Sequence, residues 1–508
     1  MEREHYTESV RENHRNAIED ARALGTFDAW IGGESRPAES GATFETRDPV
    51  VDEPILSVPR CDEADVDAAV DAAWDAYDGE WGETTPAERS RTLQEWVGVL
   101  RDHLDELALL ESLDTGKPLS YAEGEVTKGL DFIEYYANVC RAEEGKQIAA
   151  ANDAHIYTRR EPYGVVGCVT PWNYPLVLTS WKIGPALAAG NAVVLKPAEQ
   201  SPLTALRIAE LSEGILPDGV LNVVTGFGDE AGASVTGHED VRKVSFTGED
   251  VTGEAVMTAA AANITPVTLE LGGKSPFVVF PDADIEQAAE TVAGSITYNT
   301  GQSCDACSRA IVHEDVRDEF VEHLVDEVES HTIGDPLAEE TTLGPLVSKA
   351  QYDKVTEYLD IGVDEGATLA TGGDAVVGEG LEDGWFVEPA VFVDADNDMR
   401  IAQEEIFGPV ETVVTFSDYE EAIELANDVE FGLAAGVATE NGSLAHRAAA
   451  DIDAGSIWVN KYYGRTVTGS PFGGFKRSGT GRECARDTLE AYTQEKTVHV
   501  PIEQDPTL

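Results

Sequence analysis

A two-domain α/β protein built on parallel sheets is what the sequence predicts, and three observations carry that reading. The 508 residues are too many for one ordinary core, and an apolar share of 42% is enough to fill two or more. From Val165 onward short β-branched runs alternate with helical segments, the pattern of strand-helix-strand units. That series breaks near Gly273 and a second begins, which puts a domain boundary there.

Taken in order, residues 1–24 are polar and charged and read as a loosely attached helix or tail. Over 62–77 apolar residues recur at helical spacing, and Thr85-Pro86 opens another helix, with a capping threonine and proline at the first helical position. Both helices are expected as amphipathic covers on a sheet. The first strand series is 165–170, 192–195, 220–224, 244–246 and 267–271; the second is 276–280, 310–313, 387–393 and 456–460. Residues 366–385, rich in glycine and acidic side chains, read as an exposed connection. Segments 156–160 and 492–500 read as strands outside the main sheets.

Acidic residues number 96 against 35 basic ones, twelve of them lysines, and the formal charge is −61. Nucleic acid and anionic membrane would be repelled, so neither is an expected partner. Such an excess signals disorder when apolar residues are scarce, but here the periodicity is intact and eight tryptophans are present. The charge is therefore a coat on a folded surface. It resembles the coat of proteins from extreme halophiles, where molar salt shortens the Debye length to about 3 Å. The charged opening, Met1-Glu2-Arg3-Glu4-His5, holds no secretory core and no run of about eighteen apolar residues follows, so a cytoplasmic protein is expected. The six cysteines are scattered and suggest no disulfide framework. No metal site is assigned.

The chemistry concentrates in five short stretches. Gly301-Gln302-Ser303-Cys304 follows Glu270-Leu271-Gly272-Gly273-Lys274 by 34 residues, a thiol and a carboxylate each set beside glycine. They suit a covalent nucleophile and a base for a second step. Pro171-Trp172-Asn173-Tyr174-Pro175, Lys196-Pro197-Ala198-Glu199 and Glu405-Ile406-Phe407-Gly408-Pro409 complete the set. Together they resemble the aldehyde dehydrogenase superfamily, over nearly the whole chain from about Phe27 to Val500.

The resemblance implies an aldehyde dehydrogenase-like fold. It would have two Rossmann-like domains, one for NAD over 25–145 and 163–272 and a catalytic one over 273–477. A small β arm over 146–162 and 490–503 would join copies into a homodimer or homotetramer. It also implies roles. Cys304 adds to the aldehyde, Asn173 and the Cys304 backbone N–H hold the oxyanion, and Glu270 activates water against the resulting thioester. Relatives that pass the acyl group to coenzyme A usually lack this glutamate, so hydrolysis to a carboxylic acid is implied. Lys182 and Glu483 match a pair that carries protons away from the base, although an ordinary surface ion pair would look the same in sequence.

For the cofactor, Gly226-Phe227-Gly228-Asp229-Glu230-Ala231 fits a Gly-x-Gly-x-x-Ala fingerprint, which alone would put pyrophosphate there. The family instead places pyrophosphate near Phe246-Thr247-Gly248-Glu249, with Gly228 along the adenine. Gly253 and Leu271 match further cofactor positions. Lys196 and Glu199 match the adenosine ribose pair, and a carboxylate there would repel a 2′-phosphate, favouring NAD over NADP. Glu405 and Phe407 match the nicotinamide pair, bordered by Trp172. Tyr174, Trp181, Tyr298 and Phe472 match an aromatic aldehyde tunnel, suited to aliphatic or aromatic aldehydes, or to betaine aldehyde through cation–π attraction. Arg465 stands where it could meet a substrate carboxylate.

Three departures stand out. Glu249 replaces a common serine beside the pyrophosphate. Asp305 follows the nucleophile and would raise its pKa. Cys307 replaces a small residue and could form a redox pair with Cys304, or simply pack. A coenzyme A-acylating semialdehyde dehydrogenase and a relative that kept the fold but lost turnover are the competing readings.

Overall fold

The computed structural model describes residues 9–502 except 152, 377, 379 and 463–466. Arg465 and residue 503 of the expected arm therefore lie outside the described residues, as do residues 1–8. Two large sheets dominate. In the first, five parallel strands run in the order Leu221–Val223, Ala192–Lys196, Val165–Val169, Lys243–Thr247 and Val267–Glu270. Antiparallel strands flank them, Ala29–Ile31 and Glu34–Arg36 on one edge and Gly479–Thr480 on the other. Alternate residues of Val165–Val169 enter separate hydrophobic clusters on the two faces, so the strand reads as an unbroken buried run.

The second sheet has the order Thr368–Thr371, Ala390–Val393, Val410–Phe416, Cys307–His313, Ser275–Val279, Ala434–Ala438 and Ser456–Val459. All are parallel except the first, an antiparallel edge. Two of its central strands were not anticipated. Ala434–Ala438 is made of alanines, one glycine and one valine and so lacks a β-branched signature, whereas five of the seven residues of Val410–Phe416 are β-branched, interrupted by the buried Glu411. Thr368–Thr371 lies inside the stretch expected as an exposed connection, which is therefore partly sheet.

The N-terminal stretch is a helix, one of the two forms expected, but it is not loosely attached. Val10–Arg22 is a packed helix with Ala17, Ile18 and Ala21 in the core. Its His14 is clasped between Asp48 at 2.5 Å and Asp335 at 2.9 Å. Burial alone would lower the imidazole pKa, but the two carboxylates raise it to about 10.

Asp62 caps the helix Glu63–Asp78, which covers the first sheet as expected, and Thr85 caps Pro86–Asp102 through a reciprocal bond with Glu88. The latter packs chiefly on the helices Leu119–Val139 and Pro175–Ala189, not on the sheet. A third, three-stranded sheet pairs Thr493–Pro501 with Ala154–Pro162 along nine residues and adds Gln147–Ile148. Among the described residues no helix is long and apolar enough to cross a membrane.

Candidate active site

The chain turns sharply before Cys304. Asn299, Thr300 and Gly301 all take left-handed backbone angles, with φ of 50°, 56° and 69°. Such strain costs about 1 to 3 kcal/mol at a non-glycine residue and persists only where surroundings fix it. Here they do. Asn299 Nδ2 donates to the carbonyls of Asn173 and Gln302, Thr300 Oγ1 donates to Gly344 O, and Gln302 Oε1 accepts from Val347 N–H. Gly301 has no alternative, since a Cβ there would lie 2.2 Å from Gly408 O. That contact joins the thiol loop to the Glu405–Phe407 turn, whose Phe407 is itself left-handed at φ 61° and held by Gln351 Nε2.

Cys304 stands where two cavities meet. One, of about 130 Å³, is lined by Glu125, Lys128, Phe132, Tyr174, Trp181 and Tyr298 among others. The Tyr174 and Tyr298 rings stack at 6.4 Å, and Trp181 packs against Phe132 at 5.6 Å and Phe472 at 5.3 Å. Phe472 thus backs the wall instead of forming it. The other cavity, of about 330 Å³, is more polar than the first and is lined by Trp172, Asn173, Gly248, Glu249, Glu405 and Phe407, together with Gln200, Ser348, Gln351 and Lys354. Trp172 and Phe407 meet edge to face at 5.2 Å. The N-termini of Asp250–Ala262 and Lys349–Glu365 open onto it, an arrangement suited to an anion. Gly272 leaves room for Glu405, whose Oε1 accepts from Gly273 N–H at 2.9 Å; a Cβ on Gly272 would lie 2.4 Å from Glu405 Oε2.

Asn173 is buried, with Nδ2 donating to Gln302 O at 3.0 Å, which leaves its second amide proton for another acceptor. Its own carbonyl accepts from Lys117 Nζ at 3.0 Å. Lys117 sits between Glu111 and Glu125, all three buried, and Glu125 accepts from Tyr298 O–H at 2.7 Å. Glu270 ends the strand Val267–Glu270 with both carboxylate oxygens buried and unpartnered, and burial pushes it well above the usual carboxylate range. The Cys304 thiol is likewise pushed up, first by burial, then by Asp305, Glu405 and Glu270. Asp305 accepts from Ser303 Oγ at 2.8 Å, and Ser303 accepts from Tyr174 O–H at 2.9 Å.

Lys182 and Glu483 are fully buried and 3.0 Å apart, so the surface-pair alternative is excluded. Lys196 pairs with Glu199 at 3.0 Å, and Glu199 lines an adjoining cavity beside Phe227. Gly228 is exposed on its turn, and Gly253 packs under Leu271, where a Cβ would meet Leu271 Cδ2 at 2.6 Å. Lys196, Glu199, Gly228, Gly253 and Leu271 are not in the wall of that larger cavity. Glu249 is exposed at its rim, sharing the cavity with Lys354. Cys307 is buried in the core of the second sheet, near Glu411, Arg309 and Lys274, which supports simple packing over a redox pair. Sequence reasoning missed Glu125, Lys128 and Phe132, although their spacing of three and four residues marks one helix face. It also missed Lys117, Gln351 and Lys354, for which no local signal exists.

Residues 36–498 match the aldehyde dehydrogenase family. The chain is 44% identical to a Bacillus cereus aldehyde dehydrogenase solved as an NAD+ complex, covering 95% of this chain and 99% of that one, with a TM-score of 0.93. The indole-3-acetaldehyde dehydrogenase of P. syringae, solved with NAD+ and IAA, is 41% identical over 96% and 99% of the two chains, with a TM-score of 0.93. The betaine aldehyde dehydrogenase of Staphylococcus aureus, in complex with NAD+, is 37% identical over 97% and 98%, with a TM-score of 0.94.

Proposed function

The chain belongs to the aldehyde dehydrogenase family, and from that premise we propose that it oxidises an aldehyde to a carboxylic acid with NAD as acceptor. One observation carries the reading: the Cys304 thiol lies between an aromatic cavity that fits an aldehyde and a larger, more polar one flanked by two helix N-termini that fits a dinucleotide. Trp172, Gly248, Gln351, Lys354, Glu405 and Phe407 would hold NAD, with the Lys196–Glu199 pair at its adenosine end and Gly228 beside the adenine. When bound, NAD supplies the hydride acceptor.

The thiol attacks the aldehyde carbon, and the free amide proton of Asn173 and the Cys304 N–H receive the oxyanion. Departure of hydride leaves a thioester on Cys304. Glu270 then takes a proton from water, the water oxygen bonds to the carbonyl carbon, and the C–S bond breaks with its pair on sulfur. Because burial pushes both the thiol and Glu270 up from their ordinary ranges, the rate rises as pH increases and the two ionise.

The substrate is an aliphatic or aromatic aldehyde. A quaternary ammonium aldehyde is a second reading, favoured by the rings of Tyr174, Trp181 and Tyr298 around the cavity. The catalytic half spans 273–477, and the strands 154–162 and 493–501 would pair with a second copy in a homodimer or homotetramer. Val251, Met257 and Ile264, exposed on and just after one helix in so acidic a chain, support such an association. Acidic residues outnumber basic ones 96 to 35, so the surface is strongly acidic and suits molar salt in a cytoplasmic protein.

NADH formation followed at 340 nm in molar salt tests this, with NAD or NADP and a panel of betaine aldehyde, short aliphatic aldehydes, benzaldehyde and succinate semialdehyde. NAD-linked turnover that vanishes in Cys304→Ala is expected. Turnover that requires coenzyme A, or none with cofactor still bound, would favour the acylating or the inactive relative.

A further inference from the structure

The backbone of Asn173 is held as firmly as its side chain. Its carbonyl oxygen accepts from Lys117 Nζ and from Asn299 Nδ2, each at 3.0 Å, so both of its lone pairs are taken. Its amide Nδ2 donates to Gln302 O, which Asn299 Nδ2 also reaches, at 3.2 Å. Asn299 and Gln302, in the loop before the thiol, thus close a ring with Asn173. Lys117 is the charged donor to that ring, and it comes from a distant part of the chain.

The helix Leu104–Thr115 ends on Gly116, left-handed at φ 74°, where a Cβ would lie 2.5 Å from Pro345 Cγ. That turn folds Lys117 back over the helix, and Ser112 Oγ fixes it by donating to Lys117 O at 2.7 Å. The ammonium then lies between Glu111, at 3.2 Å, and Glu125 of the helix Leu119–Val139. Together with Asn173 O these acceptors use its three donors. Burial would lower the ammonium pKa, but Glu125 and Glu111 outweigh it and raise it, so Lys117 stays charged and its bond to Asn173 O is charge-assisted. Both carboxylates are tied to the site in turn. Glu111 Oε2 accepts from Leu176 N–H at 3.3 Å, in the first turn of the helix Pro175–Ala189, and Glu125 Oε1 accepts from Tyr298 O–H at 2.7 Å.

We propose that Lys117 is a positioning residue of the oxyanion site, holding the main chain of Asn173 so that the amide proton left free by Gln302 O meets the aldehyde oxygen as it gains charge. The proposal rests on the role given to Asn173 above. Lys117 lines neither cavity, so it acts through Asn173 and not on the aldehyde or NAD. A donor stabilises an oxyanion most when it is already in place, because one that must be drawn into line gives back part of its effect. Pro171 and Pro175 restrict the ends of the loop, and Asn299 is neutral and itself left-handed at φ 50°, so the ammonium is the strongest anchor at its middle.

The test uses full-length protein with Glu125→Gln as the reference, because Glu125 also lines the aldehyde cavity. Adding Lys117→Met to it removes the ammonium and keeps the net charge of the cluster at its wild-type value. Two reactions of Cys304 are compared: displacement by iodoacetamide, which builds no oxyanion, and acylation by p-nitrophenyl acetate, which does. First-turnover NADH at saturating aldehyde and NAD is read alongside. Acylation and first-turnover NADH should fall about thirtyfold, less than the loss of a whole donor brings, while alkylation stays within about twofold. In an Asn173→Ala background the same change should lower acylation less than about threefold, since the donor being positioned is already gone. Lys117→Gln in the wild-type background, which keeps two donors on a shorter chain, should lower acylation about fivefold with alkylation spared, and it decides the matter where the methionine variant does not fold. Alkylation and acylation that fall together, an undiminished loss over Asn173→Ala, or no loss at all overturns the positioning role. A wild type that acylates but forms no NADH overturns the redox reading alone, and the acylation comparison still decides the role of Lys117.

Discussion

On one side of Cys304 the wall comes from two long helices, Leu119–Val139 and Pro175–Ala189, which contribute Phe132, Val177, Leu178 and Trp181. On the other it comes from strand ends, glycines and a left-handed turn: Gly248, Gly272, Glu405 and Phe407. The first wall is made by side chains on regular elements, so exchanging a ring changes its shape without moving the chain. The second is made by backbone position, where an added methyl group displaces a neighbour. The helical side is thus free to vary with substrate, and the loop side is tied to one cofactor.

The largest effect expected from breaking this contrast is at Glu270, which serves the second chemical step alone. Glu270→Gln should leave first-turnover NADH nearly intact and lower steady-state turnover about a thousandfold, the usual scale for a lost general base. Rapid-mixing measurements with NAD and aldehyde saturating check it; an equal fall in both phases would instead place Glu270 in the attack by the thiol.

Two substitutions then separate the cavities. Trp181→Leu removes an aromatic wall and should raise KM for the aldehyde about tenfold, with KM for NAD unchanged. Gly272→Ala forces Glu405 to move and should do the reverse, raising KM for NAD about tenfold. Steady-state kinetics with one substrate varied at a time reads both. Crossed effects, with each substitution changing both constants, would mean that the two cavities act as one.

The same contrast explains what could be read in advance. The parallel strands of the first sheet were legible because they are β-branched and buried on both faces. Phe132 and Glu125 followed a helical period that was there to be seen. Cys304, Glu270 and Asn173 were found through their flanking motifs, whose glycines and prolines mark close backbone approaches. What was not legible is long-range pairing. His14 with Asp48 and Asp335, and Lys117 with Glu111, Glu125 and the carbonyl of Asn173, join residues that share no local pattern, and each buried charge looks solvent-exposed until its partner is known. The burial of Glu411 within Val410–Phe416, where it accepts from Ala310 N–H, belongs to that class.

The smallest effect is expected where the two walls touch. Asp305 lines the aromatic cavity beside Cys304 and is second only to burial in holding the thiol neutral. Because a nearby negative charge opposes formation of the thiolate, Asp305→Asn should lower the pH of half-maximal alkylation of Cys304, by about half a unit to one unit. The sign is fixed, since removing the carboxylate can only favour the anion unless the Ser303 hydrogen bond is lost and the loop moves. Asparagine keeps an acceptor for Ser303 Oγ, so the Tyr174–Ser303 chain should survive and the aldehyde KM stay near wild type. A midpoint that does not move would show that burial alone sets the thiol, and that the carboxylate following the nucleophile serves the wall of the cavity instead of its chemistry.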